Sequence, residues 1–470
     1  MKTSADTIRR LKEAAGPGGF SEDAAEIAKH VTEWRGRWSG ETPVLLKPNT
    51  TEAVSRILAV CYETATPIVP QGGNTGLVGA QVPLHGEVLL SLARMNRIRA
   101  VNAAENAIIA EAGVILADVQ QAASDAGRLF PLSLAAEGSC TIGGNLSTNA
   151  GGVGVLRYGM TRDLVLGVEV VLADGRVLNM LRSLRKDNSG YDLKQLFIGA
   201  EGTLGIITAA SLKLFPKPHS YATVFAAISN AEAALDLLNR LQDATGGLVT
   251  AFELVSRSGL DLVLKHIPGA SDPLPKHKGW FVLVQVSNPA AFDALPALET
   301  GLAKAMDDGL VADAVFAKSE RERKNLWLLR ESLSEAQKIE GASVKHDVSV
   351  PLSRIPEFLA SADKAVREAL PGARPVAFGH VGDGNIHFNI AAPLGNDAAL
   401  VAARDKLERV VHEAAVRLGG SISAEHGIGI AKREALKTQK SAAELEIMRT
   451  LKRTLDPKNI LNPGKLLPPI

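Results

Sequence analysis

Glycine sets the first constraint on this chain. There are 43 glycines in 470 residues, and many fall in three clusters. PQGGNTGLVGA places Gly72, Gly73, Gly76 and Gly79 directly after the apolar pair Ile68–Val69. EGSCTIGGNLSTNAGGVG follows near residues 137–154, and GAEGTLG spans Gly199 to Gly205. Glycine is costly to order, so such density points to backbone that must turn sharply or approach something closely. Bare backbone N–H groups converging after a strand suit an anion. The first loop contains no Lys or Arg, so backbone dipoles would meet the charge. It is not a P-loop, because no Gly-Lys-Ser/Thr follows, and the G-x-G-x-x-G spacing of a dinucleotide fingerprint is absent. Taken alone, this loop also fits a tight glycine turn. In the second cluster, Ser139, Thr141, Asn145, Ser147, Thr148 and Asn149 alternate with glycines, giving a narrow polar groove suited to an extended dinucleotide.

Around these loops the spacing predicts a helix over 49–66, with Val54, Ile57, Leu58 and Cys61 on one face and Pro67 as its stop. Strands are expected at 88–92 and 108–112, and a helix near 116–126. A hairpin is expected from 168–172 to 176–180 around Ala173-Asp174-Gly175. Near Pro218 the texture changes. YATVFAAIS, AEAALDLLNRLQDA and LVTAFELVS read as strand, helix, strand, and WFVLVQVS, DALPALETGLAKAM and ADAVFAKS repeat the rhythm. A split-βαβ sheet with helices on one face fits. The expected fold class is α+β, with domains at 1–218 and 219–425 and a C-terminal segment at 426–470 returning to the first.

Composition removes several classes of function. Lys plus Arg is 52, Asp plus Glu is 51, and the net charge is +1, so no general field gathers nucleic acid or an anionic membrane. Aromatics are 4%, too few for nucleic-acid stacking platforms. Two cysteines exclude a disulfide framework. No run approaches the roughly 18 apolar residues of a membrane span, and the first residues have no signal-peptide core. The expected location is the cytoplasm, without nucleic-acid or membrane-spanning partners.

VAFGHVGDGNIHFNI carries a Gly-Asp-Gly turn between two apolar stretches, which brings His380 back beside His387. His387 and Asn389 share a strand face. Far downstream, SISAEHGIG supplies Glu425 and His426 in a loop. Two histidines and a carboxylate suit a metal site with an open position. They also fit a capped turn and a simple ion pair, or a metallohydrolase. In WLLRESLSEAQKIEGASVKHDVSVP, Arg330 and Ser334 lie one turn apart on a helix, and Lys345 begins a strand. Together they could hold a carboxylate, although solvated helix charge is the plainer reading.

With these motifs in view, PQGGNTGLVGA, GGNLSTNAGG, GAEGTLGIIT and LDPKNILNPGK resemble the FAD-binding domain and closing segment of the vanillyl-alcohol oxidase/PCMH superfamily. GHVGDGNIHFN and SAEHGIG resemble its FAD-linked D-2-hydroxyacid dehydrogenases, most of all the D-2-hydroxyglutarate dehydrogenases. The resemblance covers roughly residues 40–466 and implies a PCMH-type FAD domain plus a substrate (cap) domain. It implies FAD contacts from Pro70, Gly72, Gly73, Asn74, Thr75, Gly76 and Leu77, which would hold the pyrophosphate. Ser139, Gly143, Gly144, Ser147, Gly202, Ile207 and Asn462 would lie along the rest. Where flavin is covalently attached, the first loop often carries histidine; here Asn74 stands, which implies non-covalent FAD. His380, His387 and Glu425 would hold a divalent metal such as zinc, and His426 would be the catalytic base. Arg330, Ser334, Lys345, Asn389 and His426 would bind substrate, with Ser334 where threonine is usual. The implied reaction is oxidation of a D-2-hydroxy acid to a 2-oxo acid by hydride transfer to flavin N5. D-2-hydroxyglutarate and D-malate-like acids are the first candidates; D-lactate or glycolate is the alternative, and a flavin-binding electron-transfer subunit is another. Implied partners are an electron-transfer flavoprotein or quinone-linked carrier and a second copy in a homodimer.

Overall fold

The computed structural model describes residues 3–290 and 292–469. It divides into two units: Met1–Gly151, Gly159–Lys217 and Glu425–Ile470 form one, and Gly152–Tyr158 with Pro218–Ala424 form the other. The division departs from the expected boundaries at three places, and at the first of them Pro218 stands with the second unit. Glu425 stands with the first unit. Residues 152–158 join the second, where the short helix Val155–Tyr158 sets Leu156 against the second unit's core.

In the first unit, Thr50 caps the helix Thr51–Thr64 by accepting from Ala53 N, and Val54, Ile57, Leu58 and Cys61 are buried beneath it. Strand Ile68–Gln71 pairs in parallel with Val88–Ser91, which pairs in parallel with Leu45–Leu46. A second, antiparallel sheet orders Ile98–Asn102, Ala107–Glu111, Ile206–Lys213, Val165–Val171 and Val177–Asn179. The hairpin read from Ala173-Asp174-Gly175 is its edge. The chain's last segment returns here: Asn462 N donates to Ile68 O at 2.9 Å, and Ile460 and Leu461 are buried in the same core.

The second unit is built on Ser220–Ile228, Val249–Ser256, Trp280–Asn288 and Val311–Phe316, joined by helices Ala231–Thr245 and Leu295–Asp307. Their spatial order is fourth, first, third, second, all antiparallel. Each βαβ half is therefore split by a strand of the other, as the repeated rhythm implied. Arg374–Gly379, Asn385–Ala391 and Ser343–Val344 extend the sheet.

Helices cover both faces of this sheet, not one. Val224, Ala226 and Ile228 pack with Leu237, Leu241, Leu298, Phe358 and Val411, while Phe225 and Ala227 pack with Val263, Leu329 and Leu333. A strand buried on both faces loses the alternation of a half-exposed one, and YATVFAAIS reads as a continuous apolar run for that reason.

Candidate functional site

In the first unit the three glycine clusters surround one cleft. Pro70, Gly72, Gly73, Asn74, Thr75, Gly76, Leu77, Gly143, Gly144, Ser147, Gly202, Ile207 and Asn462 all line it, together with Glu425 and His426. The bare backbone has a local cause. A Cβ on Gly73 would lie 2.0 Å from Ser139 O, so two loops can meet there only if one lacks a side chain. Ser139 itself does not line the cleft: its side chain is exposed and donates to Ala136 O at 3.3 Å. Its neighbours Cys140 and Thr141 take the lining positions.

The unpaired donors and acceptors fit a polar dinucleotide. Asn74 Oδ1, Thr141 Oγ1, Asn145 Nδ2 and Asn462 Oδ1 are buried with no hydrogen-bond partner among the described residues, and all four residues line the cleft. A buried polar atom left unpaired costs about 1–3 kcal/mol, so four around one cavity mark where a ligand's polar groups belong. Asn74 is held at φ 55° with Nδ2 donating to Thr32 O at 3.0 Å.

Glu201 organises the far side of the cleft, and residue-type reasoning passed over it. Its carboxylate accepts from Ile428 N at 2.6 Å and Gly429 N at 2.8 Å, and its carbonyl accepts from Asn462 Nδ2 at 2.8 Å. Burial raises this carboxyl above its ordinary value, and the two backbone N–H groups offset that only in part. Ile430 N then donates to Val78 O at 2.8 Å, joining the loop that follows Glu425–His426 to the first glycine loop. Gly429, at φ 49°, has Val78 O 2.3 Å from where a Cβ would stand. The sequence signal for Glu201 was a lone acid inside GAEGTLG.

The other site residues lie in the second unit. Arg374–Gly379 and Asn385–Ala391 form the hairpin read from Gly-Asp-Gly, and the rings of His380 and His387 stand 5.8 Å apart, edge to face. Burial pushes Asp383, in the turn, up to about 6 against the pull of His380. Arg330 is buried, 9% exposed, and is not a solvated helix charge. Its Nε donates to Glu253 Oε2 at 2.7 Å, and its guanidinium lies 4.9 Å from the centre of the Phe378 ring. The other oxygen, Glu253 Oε1, is 2.7 Å from His380 Nδ1. Burial alone would raise the Glu253 carboxyl; His380 and Arg330 outweigh it and bring the group to about 2.

Three details differ from expectation. Arg330 and Ser334 do not share one helix: Ser332, at ψ −3°, ends Glu320–Glu331 and starts Leu333–Glu340, and Ser334 is exposed. Lys345 follows the strand Ser343–Val344 rather than opening it, with Nζ 3.4 Å from Ser334 O. Asn389 is buried and partly committed: Oδ1 accepts from His346 N at 3.0 Å and Nδ2 donates to Gln337 Oε1 at 2.9 Å. One lone pair and one N–H of that amide remain.

Known proteins are similar to this chain in sequence and in fold. Residues 42–181 match the FAD binding domain family, and residues 217–466 match the C-terminal domain of FAD linked oxidases. D-2-hydroxyglutarate dehydrogenase, mitochondrial, of Bos taurus is 40% identical over 99% of this chain and 84% of its own length. D-2-hydroxyglutarate dehydrogenase of Xanthomonas citri pv. viticola is 37% identical over 98% and 96%. The solved structure of p-cresol methylhydroxylase with substrate bound superposes at a TM-score of 0.76 and 16% identity, covering 98% of this chain and 96% of that one.

The expected cytoplasmic location is overturned. The cattle and Arabidopsis thaliana relatives are named mitochondrial, and the cytoplasmic expectation does not stand against them. The expectation had rested on the lack of a signal-peptide core and of an apolar span. Among the described residues no helix is long and apolar enough to cross a membrane, and that says nothing of compartment. The chain belongs to the FAD-linked oxidase family, in the branch that contains the D-2-hydroxyglutarate dehydrogenases.

Proposed function

We propose that this FAD-dependent D-2-hydroxyacid dehydrogenase takes D-2-hydroxyglutarate, with D-malate-like acids as further substrates, and releases the 2-oxo acid. The observation that carries the reading is a buried arginine and His380 held in one unit by the same carboxylate, with the His387 ring edge to face against His380. A buried guanidinium keeps its charge and can meet a carboxylate with paired N–H groups. Lys345 adds a second cation, the reason to favour a dicarboxylate over lactate or glycolate.

In this reading the glycine loops hold FAD non-covalently, because Asn74 offers no nucleophile where covalent members carry histidine. FAD, when bound, supplies the hydride acceptor. His380, His387 and Glu425 are the proposed ligands of a divalent ion, with zinc the first candidate. Imidazole nitrogen and carboxylate oxygen are its usual donors, and three of them leave a position for substrate. Such an ion, when bound, supplies a Lewis acid that makes the substrate hydroxyl easier to ionise. His426 accepts that hydroxyl proton, as an imidazole can near neutral pH. Arg330, Ser334, Lys345 and Asn389 hold the carboxylates and fix which face of the substrate carbon is presented. An electron-transfer flavoprotein or quinone-linked carrier would take the electrons and complete the turnover.

The test is anaerobic flavin bleaching by a panel of D- and L-2-hydroxy acids, with and without chelator. D-2-hydroxyglutarate should bleach the flavin fully, its L-enantiomer should not, and chelation should abolish the reaction. Faster bleaching by D-lactate overturns the dicarboxylate preference. Bleaching that survives removal of the metal overturns the metal's role.

A further inference from the structure

Strand Val249–Ser256, VTAFELVS, carries one charged residue, Glu253, with 0% of its surface exposed. A carboxylate at such depth is tolerated when its oxygens are paired, and here each has one partner: His380 Nδ1 on Oε1 and Arg330 Nε on Oε2, both at 2.7 Å. Strand geometry explains how the three meet. Val255 stands opposite Phe378, and Phe378 opposite His387. Glu253, two residues before Val255, faces the same side of the sheet. That side is covered by Leu329 and Leu333, the neighbours of Arg330 and Ser334 in sequence.

We propose that Glu253 is a positioning residue that locks His380 and Arg330 to each other, so that one carboxylate sets both the metal ligand and the substrate-carboxylate anchor. This rests on the metal and substrate roles proposed above. Accepting from Nδ1–H fixes the tautomer of His380 and leaves the lone pair on Nε2 for a cation; a carboxylate behind a ligand histidine also raises its basicity. Engaging Arg330 through Nε, with its guanidinium carbon 4.9 Å from the Phe378 ring centre, keeps the two terminal nitrogens of the fork for a bidentate partner. A disturbance at either function is therefore felt at the other.

The variant Glu253→Gln keeps size but donates from one arm, so it can serve His380 or Arg330 but not both. Zinc is titrated into the chelator-treated, flavin-loaded enzyme against a chromophoric competitor, and steady-state kinetics with D-2-hydroxyglutarate are run alongside. Expected for E253Q is a zinc affinity lower by about 10–100-fold, as when the hydrogen-bond partner of a ligand is lost. KM should also rise about tenfold, with flavin content unchanged. If E253Q does not fold with flavin, E253D decides by the same two measurements, since its shorter arm cannot span both partners. The variant H380A separates the two levels of inference. Zinc binding unchanged in H380A overturns the metal reading and the proposal with it. Loss of zinc in H380A, with wild-type zinc affinity and KM in the folded Glu253 variant, overturns the role of Glu253 alone.

Discussion

Arg330 shows what burial does to a charged residue. With one nitrogen given to Glu253 and its guanidinium over the Phe378 ring, its side chain has little freedom left to lose on meeting an anion. Arg330→Ala should therefore raise KM for D-2-hydroxyglutarate by at least about tenfold more than for D-lactate, one charge-assisted contact's worth. Equal effects on the two acids, measured by initial rates, would remove Arg330 from recognition of the second carboxylate. Glu201 is the counterpart in the other unit. Its carboxylate serves two backbone N–H groups, so Glu201→Gln leaves one of them facing an amide N–H. Hydrogen bonds to charged groups contribute about 1.5–3 kcal/mol, so FAD binding, followed by flavin fluorescence, should weaken about tenfold or more. Wild-type affinity in that variant would show that the loop after His426 holds its place without this anchor. Glu201 and Glu253 share a sequence signature, a single acid in a run that is otherwise uncharged. Composition gives no warning of such residues, because their meaning lies in what the fold places opposite them.

At the scale of elements, helix ends are tied to strands by few charges. Glu340, at the end of Leu333–Glu340, meets Lys265 at 2.7 Å, His266 at 2.6 Å and Arg374 at 2.7 Å. Hydrogen bonds from Lys265, His266 and Arg374 hold its carboxyl down at about 2. A carboxyl lowered on folding stabilises above its unfolded value of about 4.3, and the contribution disappears as pH falls through the folded value. Because Lys265 is exposed and screened, the stabilisation is roughly 1–2 kcal/mol rather than the full shift. Glu340→Gln should thus lower stability against urea by that amount at pH 6, and the gap to wild type should shrink steadily from pH 4.5 towards 2. A gap that is constant with pH would mean that packing, not charge, is lost. These ties were illegible beforehand because they join residues some 75 or 35 positions apart. The break at Ser332 escaped for another reason: both helices keep apolar periodicity, and only a ψ near zero separates them.

For the whole molecule, legibility followed how local the cause was. Helix Thr51–Thr64, the hairpin at Gly175 and the His380–His387 turn are written in caps, spacing and turn residues a few positions apart. The split-βαβ rhythm was legible because each strand and helix repeats in kind. Helices on both faces of that sheet were not, since two of the helices on the second face, Glu320–Glu331 and Leu333–Glu340, come some 90 or more residues after the strand Ser220–Ile228. Each unit has its own core, so ligand effects should be separable. The four orphaned polar atoms belong to the first unit alone. FAD at a hundredfold excess over its Kd should add about 2.7 kcal/mol to that unit's stability. Hydrogen exchange of flavin-free and flavin-loaded protein locates where this appears. Protection should rise in segments 70–80, 139–151, 199–207 and 460–463, while strands Val249–Ser256 and Trp280–Asn288 exchange as before. Protection spread evenly through both units would mean that they unfold as one, and the cleft could then no longer be treated as a separate seat of cofactor binding energy.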